Sequence, residues 1–146
     1  MKDKHLRVRI AQCTLIASSS PCPRRKVGAV IIDPMTNVVI SEGYNGTPRG
    51  SQKALCGGLT CKRVTQCIES GTQNDIGCHH AEANAILNAT RTGHSTLNKW
   101  LVVNCDPCLM CAKLIHHAGL VRVWCPKGQG AGIDYLEENG VSLSAI

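Results

Sequence analysis

Apolar residues at 6, 10, 13 and 17 (Leu6, Ile10, Cys13, Ala17) recur at helical spacing, which predicts an amphipathic helix over residues 3–18, closed by the run SSSPCP. VGAVIID (27–33) and VVISEGY (38–44) are short β-branched runs joined by PMTN, whose Pro and Asn suit a turn; together they predict an antiparallel hairpin. Residues 46–79 keep neither period and read as a long loop with at most one short helix. Beyond them the pattern predicts a helix over 80–91, a strand WLVVN, a helix over 107–118, a strand VRVWC, a short helix near GIDYLEEN and a terminal strand VSLSA. Strands alternating with helices imply one sheet covered on both faces, a three-layer α/β domain.

Size supports one domain over residues 1–146, since a chain of 146 residues with 43% hydrophobic content buries a core of ordinary size. There is no internal repeat and no low-complexity tract. No run of about 18 apolar residues exists, and MKDKHLRVRIAQC is too charged for a signal peptide, so the expectation is a cytoplasmic chain with no membrane partner. A net charge of +6 invites a nucleic-acid partner, but aromatics are 3% and Phe is absent, which argues against base-stacking surfaces. The basic residues are scattered apart from Arg24, Arg25 and Lys26, a pattern that suits a local anion site better than a polymer track. Ten cysteines in a reducing compartment point to metal binding, not to disulfides. A structureless loop as long as 46–79 also needs something other than an apolar core to order it, and its cysteines supply a candidate.

The most specific run is NCDPCLMCAKLIHHAG. Asp106 as N-cap and Pro107 as first helical residue would set Cys108 and Cys111 at i and i+3 on the first turn, where the helix N-terminus favours thiolate. A bare C-x-x-C is as often two small buried residues or a redox pair as a metal site; the cap and the Pro favour metal. A tetrahedral zinc with two thiolates needs a third protein ligand, plus a water if it is catalytic. GCHHAEANAIL supplies it. In the zinc nucleobase deaminases, H-x-E precedes P-C-x-x-C, with the Glu free as proton shuttle. His80-Ala81-Glu82 stands in that register, whereas His79 would need an acid at 81, where Ala sits. The candidates are therefore His80, Cys108 and Cys111 as ligands, Glu82 as proton carrier and His79 as a neighbour.

With those motifs in place, the chain resembles the deoxycytidylate (dCMP) deaminases of the cytidine deaminase superfamily. RRKVGAVIIDP, SEGYNGTPRG, HAEANAIL and PCLMCAKLIHHAG carry the resemblance in order over residues 24–119. It implies a three-layer α/β/α cytidine-deaminase-like fold with a central mixed five-stranded sheet, and hydrolysis of dCMP to dUMP and ammonia. It further implies a homo-oligomer, with a hexamer favoured, activation by dCTP and inhibition by dTTP, and Mg2+ accompanying the regulatory nucleotide. The resemblance places Asn45 on the substrate sugar, Arg24 with its basic neighbours near the phosphate, and Ala81 among the substrate contacts. Asn-Gly is also a common turn, and Arg24 and Arg25 also suit a solvated face. Gly43, Tyr44, Asn45, Gly46 and Arg49 form the expected regulatory segment, with two Gly-permitted turns whose amides, beside one guanidinium, suit a triphosphate.

Cys22, Cys56, Cys61 and Cys78 resemble positions that carry a second, structural zinc, with Cys67 as a spare; such a site would order the 46–79 loop directly. Cys13, Cys105 and Cys125 fall in predicted helix or strand, where free Cys behaves as a small hydrophobe. The chain departs from the family pattern at VWCPKGQGAG: Trp124 belongs to the strand, and Gly128 stands near the position of the aromatic that packs on cytosine. Two other readings stay open. A small zinc-binding nucleic-acid module would have no use for Glu82 beside a ligand, and a deaminase of bases in RNA or DNA would favour a polymer over the mononucleotide.

Overall fold

The computed structural model describes residues 2–57, 59, 61–72, 74 and 76–146. Among them, helices and strands follow the order α1 (Asp3–Ser18), β1 (Gly28–Ile32), β2 (Val39–Tyr44), α2 (Lys62–Thr65), α3 (Ala81–Arg91), β3 (Trp100–Val103), α4 (Leu109–His117), β4 (Arg122–Cys125), α5 (Ala131–Glu138) and β5 (Ser142–Ala145). The strands form one sheet in the order β2-β1-β3-β4-β5. Antiparallel pairing of β1 with β2 and β3 gives way to parallel pairing from β3 to β5, so the sheet is mixed as expected.

Strand alternation divides the core in two. Ala29, Ile31, Leu101, Val103, Val123 and Cys125 face α3, α4 and α5, while Val30, Ile32 and Val102 face Cys13 of α1, with Ile10, Ile16, Trp100 and Trp124 around them. β1, buried at every position, lies between the two layers, which is why its sequence is a continuous apolar run and not an alternating one. Among the described residues no helix is long and apolar enough to cross a membrane.

Two glycines let the helices approach closely. A Cβ on Gly28 would lie 2.1 Å from the Cys13 carbonyl oxygen, and one on Gly43 would lie 2.6 Å from that of Ala81 and 2.4 Å from the Ala85 nitrogen. Backbone therefore rests on backbone between α1 and β1 and between β2 and α3. Ser41, Asn84 and Asn88 reinforce the second contact by donating to the carbonyls of Ala85, Tyr44 and Glu42.

Three expectations need correction. Gly43 and Gly46 are not turn residues with left-handed backbone: Gly43 pairs with Ala29 inside β2, and Gly46 bridges to His79. Helix α4 begins at Leu109, with Cys108 as its cap in extended conformation. Asp106 does not cap it, because its carboxylate accepts from the backbone N–H groups of Lys127 and Gly128 at 2.8 and 2.9 Å. Finally, Cys105 lies in the loop after β3 and is half-buried, not inside a strand.

Candidate metal and proton-transfer site

The site forms where α3 and α4 begin. His79 and Gly46 exchange backbone hydrogen bonds at 3.0 and 3.1 Å, and this bridge delivers the next residue, His80, as the cap of α3. Cys108 caps α4, and Cys111 follows one turn later, almost wholly buried. His80 Nδ1 lies 3.4 Å from Cys108 Sγ and 3.5 Å from Cys111 Sγ, and the three donor atoms all fall within 4.8 Å of one another. A tetrahedral zinc with ordinary Zn–S and Zn–N bonds requires S···N edges of about 3.6 Å, which both observed S···N separations approach. Among the described residues it is the one set of three or more such donors brought so close.

Electrostatics favour a cation there. The hydrogen bond from Cys111 brings the Cys108 pKa down to about 4, with His80 adding to the effect against the cost of burial. Cys111 is pushed up because the Cys108 thiolate already occupies the hydrogen bond and because the site is buried. A metal ion bound by both sulfurs would displace the proton that Cys111 holds the more tightly of the two. The Cys108 sulfur likewise raises the pKa of His80.

Glu82, on the first turn of α3, is 3% exposed, and its carboxyl reaches the Cys111 sulfur. Burial raises its pKa, so this acid holds a proton more readily than an exposed carboxyl does. It stands beside the donor trio without being one of the three.

The remaining candidates are placed as follows. Asn45 is buried and already engaged: its Oδ1 accepts from the Val27 N–H and its Nδ2 donates to the Arg25 carbonyl, each at 2.8 Å. The side chain also hydrogen-bonds the Cys22 sulfur, which leaves a lone pair on Oδ1 for a ligand. Ala81 is fully buried under Gly43. Arg24 donates to the Ile68 carbonyl at 2.7 Å, whereas Arg25 is exposed and its charge acts on Cys105, next to the site. Tyr44 and Arg49 are exposed; Gly43, Asn45 and Gly46 are not. Trp124 faces the α1 layer, away from the donor trio, with the Arg122 guanidinium 5.8 Å from its ring.

Of the loop cysteines, Cys22 and Cys56 lie within hydrogen-bond reach, as do Cys56 and Cys78, and Cys61 is near enough to act on Cys78. Burial opposes ionisation at Cys22, but the N–H groups of Arg25 and Arg24 outweigh it and lower its pKa. Burial raises Cys56 and Cys78. Cys67 is exposed, in a left-handed turn after α2. Cys13 and Cys125 are buried, and burial pushes their thiols up to about 12 and about 11.

One residue near the site belongs to none of the quoted motifs. Arg63 of α2 sets its positive charge against protonation of His80. Its sequence signal was faint, a basic residue between two cysteines of an aperiodic loop.

Residues 2–127 match the family described as the cytidine and deoxycytidylate deaminase zinc-binding region. The deoxycytidylate deaminase of Schizosaccharomyces pombe is 38% identical over 113 residues, which cover 75% of this chain and 33% of that protein. The deoxycytidylate deaminase of a Mycobacterium phage is 35% identical over 120 residues, covering 78% of this chain and 88% of that one. The chain thus spans about a third of the length of the two yeast relatives it matches. The dCMP deaminase of cyanophage S-TIM5, solved with dCMP and dUMP, superposes with a TM-score of 0.80 at 28% identity, covering 100% of this chain and 99% of that one. The chain belongs to the cytidine and deoxycytidylate deaminase zinc-binding family.

Proposed function

We propose that residues 1–146 form a single cytoplasmic deaminase domain that converts dCMP and water to dUMP and ammonia. The observation that carries this reading is the buried Glu82 carboxyl standing beside the His80, Cys108 and Cys111 trio without joining it. His80, Cys108 and Cys111 would hold a zinc ion, which when bound would lower the pKa of a water to about 7 and make hydroxide available at neutral pH. Glu82 takes a proton from the attacking water, passes it to the ring nitrogen, and carries a proton to the amine as ammonia leaves. Its raised pKa suits both directions of transfer. The remaining Asn45 Oδ1 lone pair suits a sugar hydroxyl, the basic stretch Arg24–Lys26 suits a phosphate, and the backbone of Ala81, next to Glu82, is proposed among the substrate contacts.

The dCMP specificity leans on what the relatives are named for and on the nucleotides bound by the cyanophage protein. A competition assay among dCMP, dCTP, cytidine and a single-stranded oligonucleotide tests it: preferred turnover of dCMP is expected, and preference for the oligonucleotide would overturn it.

A second, structural zinc on Cys22, Cys56, Cys78 and Cys61 is part of the same proposal, with Cys61 as fourth ligand because it is buried while Cys67 is exposed. Cys56→Ser is expected to lower bound zinc from two to one per chain and to cost on the order of 3–5 kcal/mol in stability, read by elemental analysis and urea unfolding. One zinc per folded wild-type chain would remove this site.

The protein is further proposed to act as a homo-oligomer, a hexamer by resemblance, in which dCTP with Mg2+ activates and dTTP inhibits. Gly43, Tyr44, Asn45, Gly46 and Arg49 remain the proposed regulatory segment, in which exposed Tyr44 and Arg49 are the contacts a nucleotide can reach. Each nucleotide is expected to change the dCMP rate about fivefold or more, and Arg49→Ala to blunt both responses. Rates unchanged across both titrations would end this proposal.

A further inference from the structure

We infer that Asp106 is a positioning residue for Cys108: its carboxylate clamps the loop after β4 onto the chain just ahead of the metal trio and so fixes where the Cys108 sulfur stands. The inference rests on the reading of His80, Cys108 and Cys111 as a zinc site.

The two sulfurs are held by different means. Cys111 lies inside α4, where the helix itself sets its backbone. Cys108 precedes the helix in extended conformation, with φ −71° and ψ 167°, and its side chain makes no capping hydrogen bond. Its place therefore depends on the residues that lead into it. Upstream, Asn104 is tied to β1, its Oδ1 accepting from the Gly28 N–H at 3.0 Å. Between that tie and the start of α4 lie Cys105, Asp106, Pro107 and Cys108, none of them in a strand or helix.

Asp106 supplies the missing hold. Its two carboxylate oxygens accept from the successive N–H groups of Lys127 and Gly128, at 2.8 and 2.9 Å. Successive amides converge on one anion where a residue between them adopts left-handed backbone, as Lys127 does with φ +57°. That conformation is uncommon for a residue with a side chain, and the bond to the carboxylate helps to hold it. Gly128 admits the anion, since a Cβ there would stand 2.6 Å from Asp106 Oδ2. A second contact runs alongside. A Cβ on Gly132, at the start of α5, would overlap the Pro107 carbonyl oxygen and lie 2.8 Å from the Cys108 carbonyl carbon. Residues 127–132 thus lie along residues 106–108, with the Asp106 carboxylate as a polar tie. The need for Asp at 106 follows: both oxygens are used as acceptors, and an amide would turn an N–H group toward one of the two donors.

Zinc at the trio is identified as the zinc that His80→Ala fails to hold, and its affinity is measured on the full chain by competition with a chromogenic chelator. Asp106→Asn is expected to weaken it by roughly 10- to 100-fold, the range for groups that orient a metal ligand, and to shift the thiolate absorption band of the cobalt-substituted protein that His80→Ala abolishes. Gly128→Ala, which pushes the carboxylate away without touching Asp106, is expected to give a similar loss and carries the test should Asp106→Asn not fold. The double variant is expected to lose no more than the worse single one, because both changes break one clamp. Lys127→Ala keeps both N–H groups and is expected to bind zinc within about twofold of wild type. Wild-type zinc affinity in Asp106→Asn, with or without a lower melting temperature of the metal-free chain, would overturn the inference. So would additive losses in the double variant, or an equal loss in Lys127→Ala. If His80→Ala loses no zinc, the reading of the trio fails first.

Discussion

Glu82→Gln is expected to keep its zinc and its fold while losing turnover by roughly a thousandfold or more, the range for removal of a positioned proton carrier. The substitution preserves shape and volume, so the α3 contact with β2 through Gly43 is undisturbed. It removes an acid that burial makes reluctant to ionise, so the melting temperature at neutral pH should equal or exceed that of wild type. The sign follows from linkage: a carboxyl with a raised folded pKa contributes stability below its ordinary value of 4.5, and that contribution fades as pH rises through the folded value. Gln has no such decline. Steady-state rates, zinc analysis and thermal melts together check the expectation; a variant within tenfold of wild-type rate would show that another group moves the proton.

The second large effect separates two adjacent histidines. His80→Ala removes the nitrogen that lies 3.4 and 3.5 Å from the two sulfurs. Zinc affinity should fall by more than about 100-fold, since loss of the groups that merely support a ligand already costs 10- to 100-fold. Activity should go with it. His79 contributes to the site through its backbone, which bridges Gly46, and its ring Nδ1 has no partner among the described residues. His79→Ala should therefore retain zinc at that site. Elemental analysis and competition with a chromogenic chelator distinguish the two, and zinc loss in the His79 variant alone would reverse the assignment.

Period and turn chemistry made most of this legible. The period of 3.6 found α1, α3 and α5, and the β-branched runs found β1 and β2, because these elements bury a continuous face and their sequences record it. The convergence of His80, Cys108 and Cys111 was legible because the H-x-E and P-C-x-x-C runs each sit at a local helix start. The start of α4 was not, since Asp106 looks like a cap only until Lys127 and Gly128, more than twenty residues away, claim its carboxylate. Gly43 misled for a related reason: a glycine kept for close approach of a helix is indistinguishable in sequence from one kept for a turn. Arg63 carried only a faint signal because its position depends on a fold of the insert that has no periodic apolar face to announce it.

The run Cys78-His79-His80 joins the thiol group of the insert to the metal trio through two residue steps, a span of at most about 7 Å. One end is held among Cys22 and Cys56, the middle is pinned to Gly46, and the other end caps α3. A tether this short leaves no slack. Adding or deleting one residue within it would rotate the imidazole out of register with both sulfurs, so any change of length in this chain's insert that keeps the trio together has to fall upstream of Cys78.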